Sequence, residues 1–353
     1  MPTRARRSLD EVRLDAQRLA MAPITFQAVR ALRDLGLLRR LYDSGPADVD
    51  ALAEHTGLPR YGALVLLEMG LSARVVTLGD DGRFDITPTG ILLDRDPMTR
   101  ANMDFTQDVC YRGLEHLQAA VREGRPAGLA ELSPASTIYE ALATLPEPAR
   151  TSWFAFDHFY SDAAFAPALE RVLAGRPRRI VDVGANTGRF ARAVLTTDPD
   201  VHVALVDHPG QLVEAEATLR EAGLLHRATL HAADLLDPEA PLPEGADVVW
   251  LSQLLDCFAE HEIVSILRRA RAALAPGGRV AILELLWDRQ RFEAGTFILH
   301  ATSLYFTVMA NGTSRMYSAR AFLPLIAEAG LRVVEDVDDV GGVGHTLLVC
   351  EAA

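Results

Sequence analysis

The stretch Val181-Asp182-Val183-Gly184-Ala185-Asn186-Thr187-Gly188-Arg189-Phe190 carries an apolar strand straight into a glycine turn and then a helix. Glycines at 184 and 188 let the backbone turn sharply and approach a ligand closely, where a side chain would intrude. Around this join the chain alternates. Strand patterns RRIVDVG, VHVALVD, ATLHAAD, ADVVWLS and GRVAILELL are separated by helices starting near Arg189, Gln211 and Glu260. Repeated strand–helix units predict an α/β layer with a mostly parallel sheet. A last pair, RVVEDVDDV and HTLLVCEA, joined across Gly341-Gly342, predicts an antiparallel hairpin at one edge. A ligand of such a sheet lies at the carboxyl ends of its strands, where the strand order reverses. A dinucleotide fingerprint would read G-x-G-x-x-G; here the spacing is G-x-x-x-G, with Asn186 where the middle glycine belongs. That glycine admits a pyrophosphate, so the turn points to a cofactor without one.

Ahead of the sheet the pattern is helical. ITFQAVRALRDLGLLRRL has apolar residues at helical spacing and ends at the breaker Ser44-Gly45-Pro46. VDALAEHTGL, with Asp48 or Asp50 as its cap, and YGALVLLEMGLSA form a helix–turn–helix. The stretches RVVTL and RFDITPTG follow around Gly79-Asp80-Asp81-Gly82, and together these predict an α-rich winged helix. A chain of 353 residues exceeds one ordinary core, and it divides into residues 1–100, a helical linker over 101–175 and a sheet domain over 176–353. The linker stretch RTSWFAFDHFYSDAAFAPALERVLAG is rich in aromatics for a chain only 7% aromatic, as suits a helix roofing a pocket. A net charge of −13 argues against a binder of phosphate backbones. No apolar run reaches membrane-spanning length, and the basic N-terminus lacks the apolar segment of a secretory signal. Cys110, Cys257 and Cys350 lie far apart without metal-ligand spacing, so free thiols in a reducing cytoplasm are expected.

Carboxylates mark the strand ends. Asp207 closes the second strand about 20 residues beyond the glycine turn, where it can accept both hydroxyls of a ribose. Asp234, in HAADLLDP, follows the third strand with Leu235 beside it, placed to take an adenine amino group and pack on the ring. In this order the residues resemble the bacterial and plant small-molecule O-methyltransferases with an N-terminal winged-helix dimerisation domain. VDVGANTG resembles that family's VDVGGGTG, VDHPGQL its acidic strand end, HAADLL its adenine loop, and LAPGGRVAILELL its fifth-strand approach. The resemblance implies a Rossmann-like class I methyltransferase domain, a homodimer and S-adenosylmethionine as cofactor. It implies a cofactor set of Asp182, Gly184, Asn186 and Gly188 with Asp207, His208, Asp234, Leu235, Ser252 and Gln253. The acceptor is then a small aromatic or polyketide-like natural product, methylated at a hydroxyl oxygen.

The catalytic positions depart from that pattern. The family's base is a His after the fourth strand; here Ser252-Gln253-Leu254-Leu255-Asp256-Cys257-Phe258 puts Asp256 there. One orienting glutamate is retained as Glu284, the second falls near Ser314, and Asn311 matches an acceptor-pocket Asn. An Asp–Glu pair in contact would raise one carboxyl pKa. His158, in the aromatic helix, rivals Asp256 as base. His300, Thr307 and Asn311, with Leu304 between, share one face at helical spacing and join Phe154 as candidate pocket residues. A two-His-one-carboxylate metal site over His158, His300 and Asp256 is not expected. C-methylation, a cofactor-binding relative that no longer methylates, and a DNA-binding regulator are the other readings. The helix YGALVLLEMGLSA carries Glu68 and no basic residue before Arg74, which weighs against the regulator.

Overall fold

The computed structural model describes residues 7–353, so the first residues of the basic N-terminus lie outside the described part. It divides into two compact units, Met1–Met103 and Asp104–Ala353. Of the stretch expected as a helical linker, residues 104–175 fall in the second unit.

In the first unit a capping box between Ser8 and Glu11 starts the helix Leu9–Ala20, none of whose residues is buried. Helices Ala22–Asp34 and Leu37–Ser44 follow, joined through Gly36. Asp48 caps Val49–Thr56 by accepting the Ala51 N–H at 2.8 Å, and Arg60–Ser72 completes a helical pair. Arg60 pairs with Asp50 at 2.7 Å. Strands β1 (Val76–Leu78) and β2 (Phe84–Ile86) form the antiparallel hairpin after it. Leu32, Leu38, Leu41, Leu52 and Leu67 make the core.

The second unit is built on β3 (Arg179–Val183), β4 (His202–Asp207), β5 (Ala228–Ala232), β6 (Ala246–Ser252), β7 (Leu274–Glu284), β8 (Leu331–Val340) and β9 (His345–Ala352). Their order is β5-β4-β3-β6-β7-β9-β8. The first five are parallel, and β9 runs antiparallel to both β7 and β8. Because apolar clusters cover both faces, β6 reads as a buried run, Val248-Val249-Trp250-Leu251, rather than an alternation. The outer strand β8 instead alternates half-buried and exposed residues between buried ends, with Arg289 holding Asp336 and Asp338. The chain leaves β3 toward β4 and β5, then returns to place β6 on the other side of β3. That reversal opens a crevice at the carboxyl ends of β3 and β6. The aromatic helix, Ala149–Val172, packs in this unit with Trp153, Ala164, Ala168 and Val172 buried.

Candidate active site

The glycine turn follows β3 and lies against the end of β4, with the Gly184 N–H donating to Val206 O at 2.9 Å. Gly184 has φ +75°, and a Cβ built on it would lie 2.6 Å from Leu254 Cδ1. Gly188 stands apart from the cavity and packs against Ala215. Asn186, in the left-handed region at φ +47°, ties the turn together. Its N–H donates to Asp207 Oδ2 at 2.8 Å, its Nδ2 to Asp157 Oδ2 at 2.9 Å, and its Oδ1 accepts from Gln211 Nε2 at 3.1 Å. Asp207 also accepts the His208 N–H at 2.7 Å, which fixes both carboxylate oxygens. Burial pushes the Asp207 carboxyl above its ordinary range, and the two N–H donors oppose that shift.

A cavity of ≈ 190 Å³ opens from this turn. Gly184, Asn186, Asp207, His208, Asp234 and Leu235 bound one part of it, with Gln253. Asp234 is exposed and turns back to accept the Leu236 N–H at 2.9 Å. Elsewhere the wall is Tyr139, Trp153, Phe156, Leu299, Phe306 and Met316, with Asp256 and Asp157 among them. Trp153 Nε1 donates to Tyr305 Oη at 2.7 Å, which orients both rings. Behind the turn lies a second cavity of ≈ 70 Å³, lined in part by Asp182, Trp250, Ser252 and Gln253. Asp182 Oδ2, Trp250 Nε1, Ser252 Oγ and Gln253 Nε2 are buried without a hydrogen-bond partner.

Asp256 sits on a single turn, Leu255–Cys257, just after β6. Glu284, at the end of β7, shapes that turn: its Oε1 accepts the N–H groups of Leu254 at 3.1 Å and Leu255 at 2.8 Å. Asp256 is 5% exposed, and burial holds its carboxyl up at about 6. Glu284 is held well above the carboxylate range, by burial first and by the charge of Asp256 second. Glu284 supports the loop rather than facing the cavity.

Several expected pocket residues lie elsewhere. His158 lines the smaller cavity, with Nε2 at 3.3 Å from Thr187 Oγ1, so it is not on the wall it was expected to share with Asp256. Burial and then Arg189 lower it to about 4, which leaves a neutral ring. Phe154 packs between the rings of Trp153 and His158, off the cavity wall. His300 is exposed and sets its ring edge-on to Trp287; Thr307 Oγ1 donates to Ser303 O at 2.9 Å within its own helix. The reason is a π-helical turn at Phe306–Ala310, where the Asn311 N–H donates to Phe306 O at 3.2 Å. Five-residue spacing breaks the face that α-helical spacing predicts. The cavity instead receives Ile298, Leu299, Thr302, Tyr305 and Phe306. Asn311 does reach the wall, but its Nδ2 donates to Cys257 O at 2.6 Å and its Oδ1 accepts from Thr313 and Ser314. It clamps the Asp256 loop. Asp157, Tyr139 and Gln211 also line the cavity, and a carboxylate set between Phe156 and His158 in the aromatic helix is the signal the sequence carries for Asp157.

Residues 114–332 match the O-methyltransferase domain family, and residues 13–84 match the Dimerisation2-like domain family. The chain belongs to the O-methyltransferases. It is 31% identical over 310 residues to the demethylspheroidene O-methyltransferase of Cereibacter sphaeroides, covering 88% of this chain and 79% of that protein. It is 28% identical over 312 residues to the 3-amino-4-hydroxybenzoate 4-O-methyltransferase of Streptomyces cremeus, covering 87% and 82%. Among solved structures, the S-adenosylmethionine-dependent methyltransferase SibL in its apo form superposes with a TM-score of 0.72 at 25% identity, over 95% of this chain and 98% of that one.

The methyltransferase's own residues fit a sulfonium nucleoside. Gly184 lets the turn close against Leu254, where a Cβ would collide, and Asp207 is held by two N–H donors at the cavity edge. Five carboxylates line the larger cavity, those of Glu140, Asp157, Asp207, Asp234 and Asp256, and among the described residues no Arg lines it with them. That charge suits a cationic ligand and suits a pyrophosphate poorly.

Proposed function

We propose that this chain transfers the methyl group of S-adenosylmethionine to a hydroxyl oxygen of a small aromatic or polyketide-like natural product, with Asp256 taking the hydroxyl proton. One observation carries the choice of base: Asp256 is the buried carboxylate on the cavity wall after β6, whereas His158 faces the smaller cavity.

The bound cofactor supplies an electrophilic methyl group on sulfur. Asp207 holds the ribose hydroxyls, and Asn186 keeps that carboxylate and the glycine turn in register. Asp234 and Leu235 bound the adenine end. Asp182, Ser252 and Gln253, with buried polar atoms lacking protein partners, offer hydrogen bonds to the amino-acid end. Trp153, Phe156, Leu299 and Phe306 press an apolar acceptor against the site and exclude water, so that orientation contributes much of the rate. Asp256 Oδ2 receives the acceptor proton. A carboxylate held near 6 by burial is ionised at neutral pH and is basic enough for a phenol. Glu284 and Asn311 fix the loop on which it rides.

The match to a dimerisation domain and the unburied helix Leu9–Ala20 support a homodimer formed through the first unit, with its helix–turn–helix and hairpin in a winged-helix role. Among the described residues no helix is long and apolar enough to cross a membrane, and all three cysteines are free thiols, which supports a cytoplasmic enzyme. Incubation with an acceptor panel and methyl-labelled S-adenosylmethionine, read by mass spectrometry, tests the function. Labelled methyl on a hydroxyl oxygen is expected. Tight cofactor binding with labelled carbon–methyl products, or with no product from any phenol, would replace it with one of the other readings.

A further inference from the structure

We propose that the acceptor is uncharged: the cavity selects a hydroxylated ring that carries no carboxylate or other anionic group. This rests on the methyltransferase reading above and narrows its substrate class.

The chain has no lysine, so all 35 of its basic Lys/Arg positions are arginine. Among the described residues none of them lines the larger cavity, and its one basic side chain, His208, adjoins Asp207 at the cofactor end. Arginines on neighbouring elements are committed elsewhere. Arg189 pairs with Asp162, Arg150 with Glu214 at 3.3 Å, and Arg315 with Glu260 at 2.9 Å. Of the neutral donors, Gln253 Nε2 is left to the amino-acid end of the cofactor, and others are committed within the protein. The Asn311 amide serves Cys257 O, and the Thr302 hydroxyl donates to Ile298 O at 3.0 Å.

An anionic acceptor would therefore lose its water without gaining an arginine fork or a cluster of N–H donors. It would also lie in a cavity that already holds Asp157 and Asp256, whose repulsion is strong where water is excluded. The cofactor brings a single net positive charge against five carboxylates. What the wall does offer is apolar contact and one weakly engaged hydroxyl. Tyr139 Oη is buried with only the Cys257 thiol, a weak partner, beside it, and burial keeps the phenol protonated. It can donate to a neutral oxygen such as a ring carbonyl or ether, and it fits an acceptor with such a group.

The test is a matched set: a dihydroxynaphthoic acid, its methyl ester and its carboxamide, offered at pH 8. Binding to protein loaded with S-adenosylhomocysteine is read by calorimetric titration, and turnover from labelled methyl transfer. The ester and the carboxamide are expected to bind roughly 10- to 100-fold tighter than the acid. Asp157→Asn, checked for retained S-adenosylhomocysteine binding, should narrow that ratio. If the acid binds and is methylated as well as the ester, the charge selection is wrong and the methyltransferase reading stands. A carboxamide that sides with the acid, or a ratio unmoved in D157N, also overturns it. If no member binds or is methylated while S-adenosylhomocysteine does bind, the aromatic-acceptor reading fails and this narrowing fails with it.

Discussion

Asp256 is basic because it is buried, and the same burial sets its working range. A base must be ionised, so turnover should rise with pH through about 6 and level off above it. Asp256→Asn preserves shape and removes the charge; kcat should fall by roughly 100-fold or more while cofactor affinity stays nearly constant. His158→Ala should cost far less, since that ring faces the smaller cavity. Asp207→Ala strands two N–H donors and should weaken cofactor binding by about 1–3 kcal/mol in a calorimetric titration. Asp157 links pH to stability. Burial raises its carboxyl to about 7, well above its unfolded value, so the stability it lends is present in acid and is lost as pH rises through 7. Asp157→Asn should therefore raise the melting temperature of the cofactor-free protein at pH 8 and leave it nearly unchanged at pH 4. Gly184, Asp207 and Asp234 were legible because strand ends and glycine turns are written in adjacent residues. Tyr139 and Asp157 were not, since their place on the cavity wall depends on helices far off in the chain.

At the scale of elements, the central strands were readable because buried parallel strands leave uninterrupted apolar runs such as Val248-Val249-Trp250-Leu251, and the edge hairpin because Gly341-Gly342 marks its turn. The helix after β7 shows where such reading stops. Its spacing from His300 to Asn311 looks α-helical, but the extra residue in the Phe306–Ala310 turn rotates the residues beyond it out of that register. No local residue pattern announces that insertion. The glycine turn has the opposite character, since its backbone geometry is demanded locally. Gly184→Ala combines a positive φ with a contact to Leu254, and should cost about 1–3 kcal/mol in urea unfolding together with cofactor affinity. Unfolding that matches the parent protein would show that the turn can relax.

For the whole molecule, the two units present different problems. The second closes its sheet between two apolar clusters and is complete as a core. The first leaves Leu9, Val12, Leu14 and Leu19 exposed on a helix with nothing buried, more apolar surface than a free helix keeps in water. Light scattering at micromolar concentration should report about twice the 38.4 kDa chain mass, and a monomer would remove the dimer from the account. The sheet has a consequence of its own during synthesis. Because β9 lies between β7 and β8, one edge of β7 has no partner while the growing chain is still short of His345. In the finished sheet Val280, Ala281, Ile282 and Leu283 are wholly buried. Once β7 has emerged from the ribosome and until β9 follows it, the nascent chain therefore carries an apolar strand with an open edge, the template on which such chains pair wrongly. A pause or a premature stop within that interval would deliver its product to chaperones or to aggregates, and no shortened enzyme would accumulate.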